Sequence, residues 1–110
     1  MAILWQKTID NTKYEVRTAG NTRRLYTDGV FHSQYNPSRA VTGGIWDLLT
    51  LPALFYPAES IQRVLLLGVG GGAAIHQLQH YIKPGEITGI ELNPVHIMLA
   101  KRFFGVSQQQ

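Results

Sequence analysis

The stretch VLLLGVGGGAAIHQL, Val64 to Leu78, decides how this chain folds. Four branched apolar residues run straight into Gly68, Val69, Gly70, Gly71 and Gly72, and then into Ala73 and a segment with helical spacing. The apolar run from Arg63 to Leu67 lacks alternation, which predicts a parallel strand covered on both faces. A strand that turns abruptly into a helix needs residues tolerating unusual φ/ψ. A ligand lying against the helix N-terminus needs backbone with no side chain in the way. Gly68, Gly70 and Gly72 supply both properties, and the crevice they border lies outside the carboxyl end of the strand, where open α/β sheets bind ligands.

Working outward, AAIHQLQHY (residues 73–81) predicts an amphipathic helix with Ala74, Ile75 and Leu78 on one face and His76, Gln77, Gln79 and His80 elsewhere. His76 and His80 stand one turn apart, but no third metal ligand accompanies them, so a solvated face is the reading. Pro84 and Gly85 stop the helix, and ITGIEL is a second strand. Asn93 then occupies a helix N-cap with Pro94 at the first helical position, and Val95, Met98, Leu99 and Phe103 form a stripe. His96, just inside this helix, is expected to be exposed. The product is a βαβα unit with parallel strands and a right-handed crossover.

Glu91 ends the second strand, nineteen residues after Gly72. A carboxylate at that distance can accept hydrogen bonds from two ribose hydroxyls, so glycine loop and acid together point to a nucleoside-type ligand. Which nucleoside stays open, because Gly68, Gly70 and Ala73 also satisfy the dinucleotide pattern G-x-G-x-x-A. Dinucleotide domains often begin with that motif, whereas some 60 residues precede it here.

Those preceding residues have another texture. KYEVRT alternates, AGN turns, RRLYT continues, and Asp28-Gly29 carries the signature of a two-residue hairpin before VFHSQY, so Lys13 to Tyr35 reads as a small antiparallel meander. From Gly43 to Pro57, Ile45, Leu48, Leu49 and Phe55 follow roughly helical spacing and are read as core, with Pro52 dividing the helix. Tyr26, Tyr35 and Trp46 are read as packing residues. At 110 residues the chain is one domain or less, and 45% hydrophobic against 15% charged residues is the balance of a globular protein. A net charge of +3 comes from scattered basic pairs, Arg23-Arg24 and Lys101-Arg102, which argues against nucleic acid as partner. The absence of cysteine removes disulfides and thiolate metal sites. No leader-like N-terminus or membrane-length apolar run occurs, so a cytoplasmic location is expected.

From about Tyr14 to Val106 the chain resembles the spermidine synthase (polyamine aminopropyltransferase) family, within the class I S-adenosylmethionine-dependent methyltransferase superfamily. The resemblance rests on LYTDGVFH, WDLLTLPALFYP, VLLLGVGGG, IELNP and AKRFFG in this order. It implies a meander that supports oligomerisation (residues 1–40), followed by the N-terminal part of a Rossmann-like domain (residues 41–110). It also implies a glycine loop and strand-end acid that hold S-adenosylmethionine or its decarboxylated form, giving methylthioadenosine or S-adenosylhomocysteine as product. By this resemblance Gly68, Val69, Gly70, Gly71, Gly72, Glu91 and Leu92 contact the cofactor, Leu92 beside the adenine. His32 stands where the family carries glutamine and is placed to donate a hydrogen bond.

The chain also departs from the family pattern. The loop usually reads GGGDGG, and its aspartate position is Gly71 here. The acidic pair after the hairpin is missing from SQYNPSR, and Ile45, Trp46 and Asp47 replace tyrosine, histidine and glutamate. A polycation pocket needs carboxylates to offset the desolvation of its ammonium groups, and only Asp47 remains to help. Methyl and aminopropyl transfer therefore both stay open, with an unknown acceptor and no nameable catalytic residue. Two strands and two helices leave an unpaired sheet edge and an exposed apolar face. The 110 residues are read as an incomplete, N-terminal portion of a transferase, inactive alone, or as a chain whose edge another copy covers in a dimer or tetramer. The other readings are an NAD(P)-binding Rossmann domain and a non-catalytic oligomerising fragment.

Overall fold

The computed structural model describes residues 1–106. Four strands, β1 (Ala2–Ile9), β2 (Thr12–Ala19), β3 (Thr22–Thr27) and β4 (Val30–Tyr35), form an antiparallel sheet in the order β1-β2-β3-β4. Its tight turns are set by residues that accept left-handed backbone: Asp10 and Asn11 at φ 49 and 64, Asp28 and Gly29 at φ 48 and 78. Positive φ at both central residues matches the twist of the flanking strands. Asp28 also fixes its own hairpin to β2, because its carboxylate accepts from the Lys13 N–H at 2.8 Å.

After the meander comes helix α1 (Trp46–Thr50), then two 3₁₀ turns at Leu51–Phe55 and Ala58–Ser60. Pro52 divides the helix as expected, since it sits at the start of the first 3₁₀ turn and has no N–H to continue the ladder. The remainder is β5 (Arg63–Leu67), α2 (Ala73–Tyr81), β6 (Glu86–Ile90) and α3 (Pro94–Phe103), with β5 and β6 paired in parallel from Arg63↔Glu86 to Leu67↔Ile90. The α/β class, the meander and the incomplete Rossmann-like unit thus agree with the sequence reading. At the start of α3 the Asn93 side chain accepts from the Val95 N–H at 2.9 Å, ahead of Pro94.

Two apolar clusters hold these pieces together. Tyr14, Val16 and Leu25 of the meander pack with Leu99 and Phe104 from α3 and its end, so the β sheet is clamped onto the last helix. Ile75, Leu78, Ile82 and Ile87 join α2 to one face of β5–β6, with Val64 and Leu66 against them. Each fully buried side chain of this size contributes about 1.5–3 kcal/mol.

Four expectations are corrected. The described residues cover β5 on one face only: Leu65 and Leu67 are 62% and 73% exposed while Val64 and Leu66 turn inward, so the strand alternates in burial although not in sequence. The α1 region is not core, since Ile45, Leu48, Leu49 and Phe55 are all exposed and nothing in the described chain covers them. Gln77, placed off the apolar face of α2 in the sequence, is only 2% exposed, and its amide donates to the Ala40 carbonyl and to Asp47. His96 is buried. Strand β1 carries no alternating pattern and is mostly exposed along its length, which is why the sequence does not announce it.

Candidate functional site

The crevice forms where β5 and β6 end side by side. The Gly68 N–H donates to the Ile90 carbonyl at 2.7 Å, which carries the parallel ladder one step beyond β5 before the chain turns. Gly68, Gly70 and Gly72 then adopt φ of 86, 56 and 89, conformations that a side chain would strain. The turn closes through Gly72 N–H to the Val69 carbonyl at 2.9 Å, and α2 starts with no side-chain cap on its first-turn N–H groups.

The glycines divide by what surrounds them. A Cβ at Gly68 would meet nothing within 4 Å, and one at Gly70 only the His32 carbonyl at 3.7 Å, so this part of the loop faces open space. A Cβ at Gly71 would lie 2.7 Å from the Ser33 side chain, and one at Gly72 would collide with Val106. Gly71 and Gly72 are thus required by close packing on β4 and the segment after α3. Strand β4 therefore packs directly on Gly71, and Ser33 is buried there with its hydroxyl unpartnered.

Glu91 binds the loop directly. Its Oε1 accepts from the N–H groups of Val69 at 3.1 Å and Gly70 at 2.9 Å, and its Oε2 accepts from Asn93 at 2.8 Å. Burial pushes the carboxyl up, but the N–H donors of Asn93, Gly70 and Val69 and the nearby His96 outweigh it, so Glu91 titrates below its usual 4.5. Since an ionised carboxylate offers about four acceptor positions, three are taken by backbone and about one remains for a ligand hydroxyl.

His32, His96, Tyr14 and Thr27 pack against one another beside this carboxylate, and of these the sequence pointed only to His32. The ring of His32 lies 5.2 Å from that of His96, and Tyr14 meets His96 edge-on at 5.9 Å. His96 Nε2 pairs with the Thr27 hydroxyl at 2.8 Å, and the Asn93 amide donates to the Tyr14 hydroxyl at 2.9 Å. Burial lowers the His96 pKa from 6.5; the Glu91 charge opposes this and His32 adds to it. The signal for a buried His96 was present: it shares the spacing of Leu99 and Phe103, so it belongs to the inward stripe of α3. Leu92 is 97% exposed at the crevice mouth, an apolar side chain with no partner among the described residues.

Other sequence candidates lie elsewhere. Asp47 accepts from the Thr42 N–H and hydroxyl at 2.9 and 2.8 Å, from the Gly43 N–H at 2.9 Å and from Gln77. Burial raises its pKa, but the hydrogen bonds from Thr42, Gly43 and Gln77 lower it on balance, so this carboxylate is a charged clamp between α1 and α2, already engaged by the chain itself. His76 stacks on Tyr35 at 4.6 Å and faces the Phe104 carbonyl. Tyr26, Phe31 and Trp46 pack in sequence, with centroids 5.3 and 4.8 Å apart.

Fold and crevice together define a Rossmann-like α/β unit preceded by an antiparallel meander, the N-terminal portion of a spermidine synthase-like fold. Among solved structures the chain is similar to spermidine synthase from Thermotoga maritima and to a spermidine synthase in complex with the transition state analogue AdoDATO. In each case the TM-score is 0.65 and the identity 12%, over 93% of this chain and 34% of the other. The chain thus spans about a third of the length of these structures. No family model matches the sequence, and no curated protein matches it. No helix among the described residues is long and apolar enough to cross a membrane.

Proposed function

We propose that the chain forms the adenosyl-binding part of a transferase that uses S-adenosylmethionine or decarboxylated S-adenosylmethionine. The observation that carries this reading is the position of the Glu91 carboxylate against a glycine loop whose Gly68 and Gly70 face open space. An adenosine fits these surroundings: the bare backbone admits its ribose, the free acceptor position on Glu91 takes a hydroxyl, and Leu92 offers an apolar wall to the base. His32, beside the loop, is a donor to the same ligand. The bound sulfonium supplies an electrophilic carbon for methyl or aminopropyl transfer to an acceptor. A soluble cytoplasmic enzyme that assembles into a dimer or tetramer completes the reading, residues 1–40 serving assembly and residues 41–110 the cofactor. The likeness to spermidine synthases supports it at the level of fold.

A thermal-shift comparison tests the class of ligand. S-adenosylmethionine and methylthioadenosine are expected to raise the melting temperature and NAD is not. The reverse ranking would move the chain to the dinucleotide-binding proteins. Incubation with each sulfonium donor and a panel of amines, followed by mass spectrometry, then distinguishes methyl from aminopropyl transfer.

A further inference from the structure

We propose that the groove between the β2–β3 turn and the C-terminal end of α3 binds a small anion carrying two or more phosphate groups. The groove has a volume of about 460 Å³, within the range of small-molecule sites, and it shares no residue with the glycine crevice. Arg23, Lys101 and Arg102 line it together with Thr18, Asn21 and Tyr35, and no carboxylate does. Among the described residues the ion pairs are Lys13 and Arg17 with Glu15, and none of them engages the three groove cations. Glu15 is the one acidic residue in any of the four meander strands or α3, and it is already shared by two cations.

A helix C-terminus ordinarily explains nearby cations, because its carbonyls carry partial negative charge. Here that role is filled by Arg23, whose guanidinium donates to the Phe103 carbonyl at 2.8 Å, and by His76 at the Phe104 carbonyl. Lys101 and Arg102 are surplus to it. Arg102 is held 4.9 Å over the Phe103 ring, which keeps its fork of donors beside the groove. Guanidinium and ammonium groups lining one groove are suited to phosphate oxygens, which accept charge-assisted and bidentate hydrogen bonds from them. Because the three cations border one half-open groove of about 460 Å³, a small ligand fits better than a nucleic-acid strand.

The test is calorimetric titration of the 110-residue chain with pyrophosphate, ATP and orthophosphate at ~150 mM salt. Pyrophosphate and ATP are expected to bind, with orthophosphate about tenfold weaker or more. K101E/R102E should lose about tenfold or more for both polyanions, and K83E, outside the groove, should keep its affinity. Circular dichroism checks the double variant, and K101Q/R102Q replaces it should the charge reversal misfold. No heat with either polyanion at about 1 mM would overturn the assignment, as would equal loss in K83E. Binding of ATP without pyrophosphate would place recognition on the base and refute a phosphate site. Tighter binding of a single-stranded RNA than of ATP would make the surface a nucleic-acid face instead.

Discussion

Replacing Glu91 tests whether one carboxylate ties the glycine loop to the end of β6. Three backbone N–H groups, from Val69, Gly70 and Asn93, converge on it at 2.8 to 3.1 Å. A hydrogen bond to a charged group contributes about 1.5–3 kcal/mol when well buried. Glu91 is partly exposed, and water reaches donors that it releases, so Glu91→Ala is expected to cost about 2–4 kcal/mol in total. Glu91→Gln keeps one carbonyl oxygen for Val69 and Gly70 but turns an amide donor toward the Asn93 N–H. Its cost should be smaller, about 1–2 kcal/mol. Urea denaturation followed by the fluorescence of Trp5 and Trp46 measures both variants. A loss below about 0.5 kcal/mol for alanine, or a glutamine variant weaker than alanine, would refute the idea that this carboxylate organises the loop.

Further predictions concern the loop and the titrating groups. Gly70→Ala meets only left-handed strain and should cost about 1–2 kcal/mol while reducing nucleoside binding, because its methyl enters the open space. Gly72→Ala adds a collision with Val106 to similar strain and should be the less stable of the two in the same denaturation assay; equal losses would contradict the division of the loop. Gly71→Asp should destabilise by about 1–3 kcal/mol, because its Cβ meets the Ser33 side chain, and a variant as stable as the parent would show that β4 leaves room for the acid. The pKa of His96 is lowered in the folded chain, so the unfolded chain takes up the proton first as pH falls. Stability is then full above about 6.5 and declines as pH drops below it, ahead of the loss expected when Glu91 and Asp47, both lowered, are protonated at more acid pH. His96→Gln should flatten the decline between about pH 7 and 5, and an unchanged slope in thermal melts would remove His96 as its source.

Where the sequence was legible, local rules and tertiary context agreed. Asp28-Gly29 and the Asn93-Pro94 cap are set by their own backbone chemistry, and both stand as read. The glycine loop and Glu91 were legible because strand, bend and helix follow one another at short range. What stayed hidden depends on contacts distant in sequence. His96 is buried because Thr27 and Tyr14, far away in the chain, close over it. Gln77 turns inward because Asp47 and Ala40 provide the partners that an amide needs in a core. The apolar spacing of Ile45, Leu48, Leu49 and Phe55 implies a covering surface, and none of the described residues supplies it. The close packing of Gly71 on Ser33 likewise joins residues far apart in sequence.

Calorimetric titration of methylthioadenosine into the chain and into Glu91→Gln tests most directly whether the crevice holds an adenosine by its ribose. Binding to the parent is expected, with a loss of about 10–100-fold in the variant, the equivalent of about 1.5–3 kcal/mol for a charge-assisted hydrogen bond, and with the fold intact by circular dichroism. Equal affinity in the two proteins would contradict it.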